Sequence, residues 1–219
     1  MTRPQKNSDP RYELAIFDFD GTLADSFPFF VSVINKLADR YSFNQVPLDE
    51  VETLRGRSPR ELMAHLEISS WKLPAVAQGF RTLMQEQIAE ISLFGEVDTT
   101  LSYLAERGIT IGLVSSNAHE NVTRVLGASC RHFSHFDCGA SIFGKASRLR
   151  RVLRRAGIAP TEAIYIGDQP TDHEAARSAG IAFAAVSWGY GSKELLSRLS
   201  PEEAFASVPD LRRIAGNTD

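Results

Sequence analysis

Cysteine is scarce in this chain, with two among 219 residues. Two thiols cannot staple a fold of this length, so a secreted disulfide scaffold is excluded and a reducing cytoplasmic setting is expected. No apolar run approaches the ~20 residues needed to span a bilayer. The leading stretch, Met1 to Asp9, is polar and offers no hydrophobic segment for an export signal. Neither sign of charge dominates: 24 basic residues against 27 acidic ones give a formal net charge of −3, so no broad positive field recruits nucleic acid or an anionic membrane. Internal repeats and low-complexity segments are missing as well. The remaining composition, 43% hydrophobic and 23% charged, is that of a globular chain and sets aside disordered, collagen-like and coiled-coil readings. At about 150 residues per domain, the length suggests one main core carrying an insertion.

The first clear element is the apolar run Glu13-Leu14-Ala15-Ile16-Phe17, which reads as a buried strand. It ends at Asp18-Phe19-Asp20-Gly21-Thr22, where two carboxylates stand two residues apart and a glycine permits a turn. From Phe27 to about Ile91 the apolar residues recur at helical spacing, as in Phe30, Val33, Ile34 and Leu37 and again in Phe80, Leu83 and Met84. Strands then alternate with helices: Ile109 to Val114, a helix opened by a capping box of Asn117 and Glu120, a helix from Lys145 to Ala156 stopped by Gly157, a strand at Ala163 to Ile166, a helix from His173 to Ser178, and a strand at Ile181 to Val186. Continuous apolar strands separated by helices indicate an α/β protein with a parallel sheet covered on both faces and an all-helical insertion after the first strand.

In such sheets the ligand site lies beyond the carboxyl ends of the strands, so residues remote in sequence converge there. Asp18 and Asp20 follow the first strand, Ser115 and Ser116 the second, Asp168 and Asp172 the third, and Lys145 opens an intervening helix. Clustered carboxylates repel one another without a cation, and hard oxygen donors favour Mg²⁺ over zinc. A phosphate ester suits this inventory: a metal and a lysine to neutralise its oxygens, one aspartate to attack phosphorus and another to protonate the departing alcohol.

The run Asp18-Phe19-Asp20-Gly21-Thr22-Leu23-Ala24-Asp25-Ser26 resembles the first motif of the haloacid dehalogenase-like superfamily, in its phosphoglycolate phosphatase-like branch. Ser115 after Ile111-Gly112-Leu113-Val114, Lys145, and Gly167-Asp168 with Asp172 match the later motifs in order. The resemblance implies a Rossmann-like core at residues 1–26 and 92–219, with residues 27–91 as a helical cap that selects the substrate. It implies that Asp18 is the nucleophile that becomes an aspartyl-phosphate, that Asp20 is the general acid and then base, that Ser115 binds a phosphate oxygen and that Lys145 holds Asp18 and the phosphoryl group. Asp18, the Asp20 carbonyl, Asp168 and Asp172 would form the Mg²⁺ site, with the Gly21 and Thr22 amides, Ser116 and Asn117 near the substrate. Asp20 also argues for an oxygen leaving group, because the dehalogenating branch lacks this second acid. The expected partner is a small phosphate ester, with no nucleic acid or membrane and a monomer or weak homodimer. A phosphomutase of the beta-phosphoglucomutase type and a receiver-like phospho-acceptor module are the alternatives; the motif order and the helical insertion speak against the latter.

Other features carry blander expectations. Asp25 reads as a cap or loop acid. Cys130 to Cys138, with His132 and His135, lacks a standard zinc spacing, and Phe133 and Phe136 read as core. The arginines from Arg148 to Arg155 form the solvated face of an amphipathic helix, and Trp188-Gly189-Tyr190 closes the end of the sheet. In the cap, Leu54-Arg55-Gly56-Arg57-Ser58-Pro59-Arg60 supplies Arg55 and Arg57 as candidates for a second substrate anion, because guanidinium groups hold a carboxylate bidentately; a surface helix start is the equal alternative.

Overall fold

Runs such as Leu-Ala-Ile-Phe, Ala-Ile-Tyr-Ile-Gly and Ala-Phe-Ala-Ala-Val have no polar face to offer water, so they form strands only where helices cover both sides. The computed structural model, which describes residues 11–47, 50, 54, 57, 59–139 and 144–216, places them at the centre of a six-stranded sheet. Its strands are β1 (Leu14–Phe17), β2 (Thr110–Val114), β3 (His135–Asp137), β4 (Ala163–Gly167), β5 (Ala182–Val186) and β6 (Glu203–Phe205). All neighbours are parallel, in the order β3-β2-β1-β4-β5-β6, a Rossmann-type arrangement whose direction of winding reverses between β1 and β4. The helices are α1 (Phe27–Tyr41), α2 (Pro59–His65), α3 (Leu73–Glu86), α4 (Val97–Glu106), α5 (His119–Leu126), α6 (Lys145–Ala156), α7 (Pro170–Ala179) and α8 (Lys193–Ser197).

Alternation along the strands divides the core. Ala15, Phe17, Ile111, Leu113, Ile164 and Ile166 face one layer, where they meet Val97, Leu101 and Leu104 of α4 and Val122 and Leu126 of α5. Leu14, Ile16, Tyr165 and Phe183 face the other, against Leu149, Val152 and Leu153 of α6 and Ala175, Ala176 and Ala179 of α7. α1, α2 and α3 lie between β1 and β2 in the chain. They enclose a smaller cluster of Ile34, Val46, Leu54, Leu66 and Ile68, while Phe29, Val33, Leu37 and Met84 join the main core. The two segments that lead into and out of this insert run side by side: the Asp25 amide donates to the Ser92 carbonyl and the Phe94 amide to the Leu23 carbonyl, both at 2.9 Å. Among the described residues no helix is long and apolar enough to cross a membrane.

Two helix starts differ from expectation. α5 takes Ala118, not Asn117, as its N-cap and has no side-chain cap there. α7 begins at Pro170 rather than His173. Proline suits the first turn of a helix, and the Gln169 amide donates to Asp172 Oδ2 at 3.0 Å, which winds Asp172 into that turn. The edge strands β3 and β6, three residues each, carry too short a pattern to stand out in the sequence. The leading stretch Met1 to Asp9 lies outside the described residues.

Candidate active site

Parallel register puts the ends of β1 and β4 level: Phe17 pairs with Ile166, and the Asp18 amide donates to the Ile166 carbonyl at 2.8 Å. The chain then folds back on itself, with the Phe19 carbonyl accepting from the amides of Thr22, Leu23 and Ala24. The Gly21 amide bonds the Ala24 carbonyl at 2.9 Å. The Gly21 and Thr22 amides are therefore directed to carbonyls within this turn.

Asp18, Asp168, Asp172 and Lys145 are all buried at this point. Lys145 Nζ donates to Asp18 Oδ2 at 2.6 Å and to Asp172 Oδ1 at 2.7 Å. Asp172 is held further by the Tyr165 hydroxyl at 3.3 Å. Burial alone would discharge the ammonium, but Asp172 and Asp18 beside it overcome that penalty and raise its pKa. Asp18 is pushed well above the ordinary carboxylate range, chiefly by burial, with Lys145 opposing and Asp172 and Asp168 adding to the rise. Burial and then the Asp172 charge push Asp168 to about 7, against donation from the Tyr190 amide.

One oxygen from each of Asp18, Asp168 and Asp172 lies within 4.8 Å of the others, the one such cluster among the described residues. The donors are carboxylate oxygens with no thiolate or imidazole among them, and the Lys145 ammonium does not balance their charge. That set fits a small hard divalent cation such as Mg²⁺. The Asp20 side chain stands outside the cluster.

Asp20 is joined instead to the loop after β2. Asn117 Nδ2 donates to Asp20 Oδ2 at 3.0 Å, while Asp20 Oδ1 is buried without a partner. Burial raises the Asp20 pKa, with Asn117 and Ser26 opposing. Ser115 is buried, and its Oγ accepts from the Asn117 amide at 2.9 Å. The neighbouring Ser116 carbonyl accepts from Arg81 of α3 at 3.2 Å, so the insert touches this loop directly. Asn117, expected near the substrate, has both side-chain groups bonded within the protein.

The loop after β5 contributes more than a closed sheet end. The Tyr190 amide donates to Asp168 Oδ2 at 2.7 Å, and its hydroxyl pairs with Ser26 Oγ at 3.0 Å. Its ring packs edge-on against Phe27 and Phe30 of α1. Trp188 Nε1 donates to the Thr22 carbonyl, and Thr22 Oγ1 to Asp168 Oδ1. The sequence signal for these roles is two aromatics alternating with glycines, Trp188-Gly189-Tyr190-Gly191, one residue past a buried strand.

The remaining candidates fall elsewhere. Arg55 lies outside the described residues; Arg57 is half-buried, and its amide bonds the Leu54 carbonyl at 3.1 Å. Asp25 is a half-buried acid of the segment leading into α1. Cys130 and Cys138 are free thiols. The arginine face of α6 is not merely solvated, because Arg148 and Arg151 both bond the buried Asp137.

The parallel α/β sheet thus gathers a buried aspartate, a lysine and further acids at its winding reversal, the place where open sheets of this kind bind ligands. Residues 15–186 match the family model described as haloacid dehalogenase-like hydrolase. The chain belongs to that family, and by class it is a phosphoric monoester hydrolase. Among similar proteins, the phosphoglycolate phosphatase of Synechococcus elongatus is 30% identical, over 90% of this chain and 93% of its own. The phosphoglycolate phosphatase of Escherichia coli is 27% identical, over 89% of each chain. A haloacid dehalogenase-like hydrolase from Streptococcus pneumoniae shares the fold at a TM-score of 0.76 and 20% identity, over 92% of this chain and 97% of that one.

Proposed function

We propose that the protein is a Mg²⁺-dependent phosphatase that hydrolyses a small phosphorylated metabolite of the phosphoglycolate kind through an aspartyl-phosphate on Asp18. The observation that carries this reading is the buried Asp18 carboxylate at the winding reversal, bonded by Lys145 and clustered with Asp168 and Asp172. Asp18 attacks phosphorus, the bond from phosphorus to the ester oxygen breaks, and Asp20 gives its proton to the departing alcohol. Water then attacks the acyl phosphate, Asp20 takes back a proton, and inorganic phosphate leaves with Asp18 restored. Lys145 holds Asp18 in line and offsets charge on the phosphoryl oxygens, and Ser115 hydrogen-bonds one of them. Asp18, Asp168 and Asp172, with the Asp20 carbonyl, would hold Mg²⁺, which when bound supplies positive charge against the phosphoryl group.

The insert at residues 27–91 serves as the cap over this site, with Arg55 and Arg57 as candidates for a second substrate anion. A cytoplasmic monomer or weak homodimer is the setting that fits. The test is phosphate release from 2-phosphoglycolate and from a hexose phosphate, with and without Mg²⁺, for the native chain and Asp18→Asn. The variant is expected to keep the fold and lose turnover. Full hydrolysis by Asp18→Asn overturns the reading, and isomerisation without phosphate release points to a mutase.

A further inference from the structure

Asn117 is 2% exposed, and every hydrogen-bonding group it has is engaged. Its Oδ1 accepts from the Ala118 backbone amide at 2.8 Å. A backbone N–H can only donate, so that atom is the amide oxygen and the orientation of the side chain is fixed by chemistry. Asn121 Nδ2 donates to the same oxygen at 3.1 Å. The other end, Nδ2, is therefore a pure donor, and it points at Asp20 Oδ2, 3.0 Å away. The backbone is pinned as well: the Asn117 amide donates to Ser115 Oγ, and its carbonyl accepts from Gly139 at 2.7 Å. From the insert, the Met84 sulfur accepts from the same Nδ2 at 2.8 Å.

A carboxylic acid carries its proton on one of two oxygens. With Oδ2 facing a group that can only donate, a proton on Asp20 belongs on Oδ1, which is buried and makes no hydrogen bond of its own; the nearby Ser26 hydroxyl can donate or accept and so dictates neither oxygen. We propose that Asn117 is the positioning residue for Asp20: it holds Oδ2 as an acceptor, so that Oδ1 is the oxygen presented to the leaving group. This rests on the function proposed above. As the ester bond breaks, the proton passes from Oδ1 to the bridging oxygen, and the new carboxylate charge is shared with the Oδ2 that Asn117 already donates to. Asn117 itself touches neither substrate nor phosphorus.

Leaving-group dependence separates aim from architecture. An alkoxide cannot depart without a proton, whereas 2,4-dinitrophenolate can. The measured quantity is kcat/KM, which covers steps only as far as leaving-group departure, for 2-phosphoglycolate and for 2,4-dinitrophenyl phosphate. Asn117→Ala and Asn117→Asp both remove the Nδ2 donor, and the aspartate keeps an oxygen for Ala118 and Asn121. Their loss on the alkyl ester is expected to exceed that on the aryl ester by about tenfold to a hundredfold, within what general acid catalysis contributes. Combined with Asp20→Asn, which shows the same bias, they are expected to add less than about threefold. Equal losses on the two esters, or losses that multiply with those of Asp20→Asn, overturn the assignment. Asp18→Asn run alongside keeps the two levels apart: if it retains turnover the function fails, and if it is dead while the Asn117 variants show no bias, only this inference fails.

Discussion

Lys145 Nζ lies 2.6 Å from Asp18 Oδ2, and each side chain is 7% exposed. The ammonium also bonds Asp172 at 2.7 Å, so one cation bridges two buried carboxylates. Lys145→Met removes the cation and keeps the aliphatic volume. Breaking a buried pair leaves uncompensated charge, so the variant is expected to lose about 3–5 kcal/mol near neutral pH, less what protonation of either acid recovers. Activity is expected to fall by roughly 10³-fold, the scale of a lost electrostatic contact to a transferring group. Urea denaturation and steady-state hydrolysis check the two effects separately. A variant as stable as the native chain would mean that the pair contributes no net stability.

Asp168 links proton binding to cation binding. Its folded pKa is raised from the ordinary 3.8 to about 7 by burial and by Asp172. In the range between those values the folded metal-free chain keeps a proton that the unfolded chain has lost, so this group makes stability fall as pH rises toward 7 and contributes no further change above it. A cation needs the carboxylate, so its binding competes with that proton. The rise in Tm on adding Mg²⁺ is therefore expected to be larger near pH 8 than near pH 6, and Asp168→Asn is expected to remove most of it. Calorimetry with and without Mg²⁺ at both pH values is the measurement. A shift of equal size at both, or one larger near pH 6, contradicts the linkage.

The sequence told which strand ends would meet more clearly than what holds them. Asp18, Ser115, Lys145 and Asp168 could be placed because each directly follows a buried strand or opens a helix, and strand ends are bound to converge in a parallel sheet. The bond from the Tyr190 amide to Asp168 was not legible, since an amide carries no mark of residue type; the aromatics alternating with glycines after β5 marked the loop but not that contact. Asn117 was misread as a helix cap because asparagine before a helix usually is one. Here its Oδ1 is taken by the Ala118 amide and Asn121, its Nδ2 donates to Asp20 from a stretch nearly a hundred residues earlier, and Ala118 takes the cap position. The short edges β3 and β6 were missed because three residues carry no measurable period.

The two thiols give a prediction independent of catalysis. Burial, then the Asp137 charge, push Cys138 up to about 12, and burial raises Cys130 as well. Only the thiolate attacks, so at pH 8 on the order of one Cys138 side chain in ten thousand is reactive at any moment. The folded protein is expected to react slowly with an alkylating reagent, Cys138 more slowly than Cys130, and to yield two reactive thiols once unfolded. Peptide mapping of the labelled protein checks the order; fast labelling of Cys138 in the native state contradicts it.

Gly21 and Gly108 share a left-handed backbone, with φ of 78° and 80°, but differ in what surrounds them. A Cβ on Gly108 meets nothing within 4 Å, whereas one on Gly21 runs into Asp168 Oδ2 and the Tyr190 ring. The backbone penalty for alanine is similar at both sites, about 1–2 kcal/mol. At Gly108 that is the whole effect, and the Mg²⁺-induced rise in Tm is expected to survive. At Gly21 the carboxylate of Asp168 or the ring of Tyr190 has to move as well, either of which disturbs the hydrogen bond from the Tyr190 amide. Gly21→Ala is therefore expected to lose the Mg²⁺ response along with turnover, while Gly108→Ala loses only stability. Should both variants keep the response, the turn after β1 does not constrain Asp168, and the contact between the two segments is packing alone.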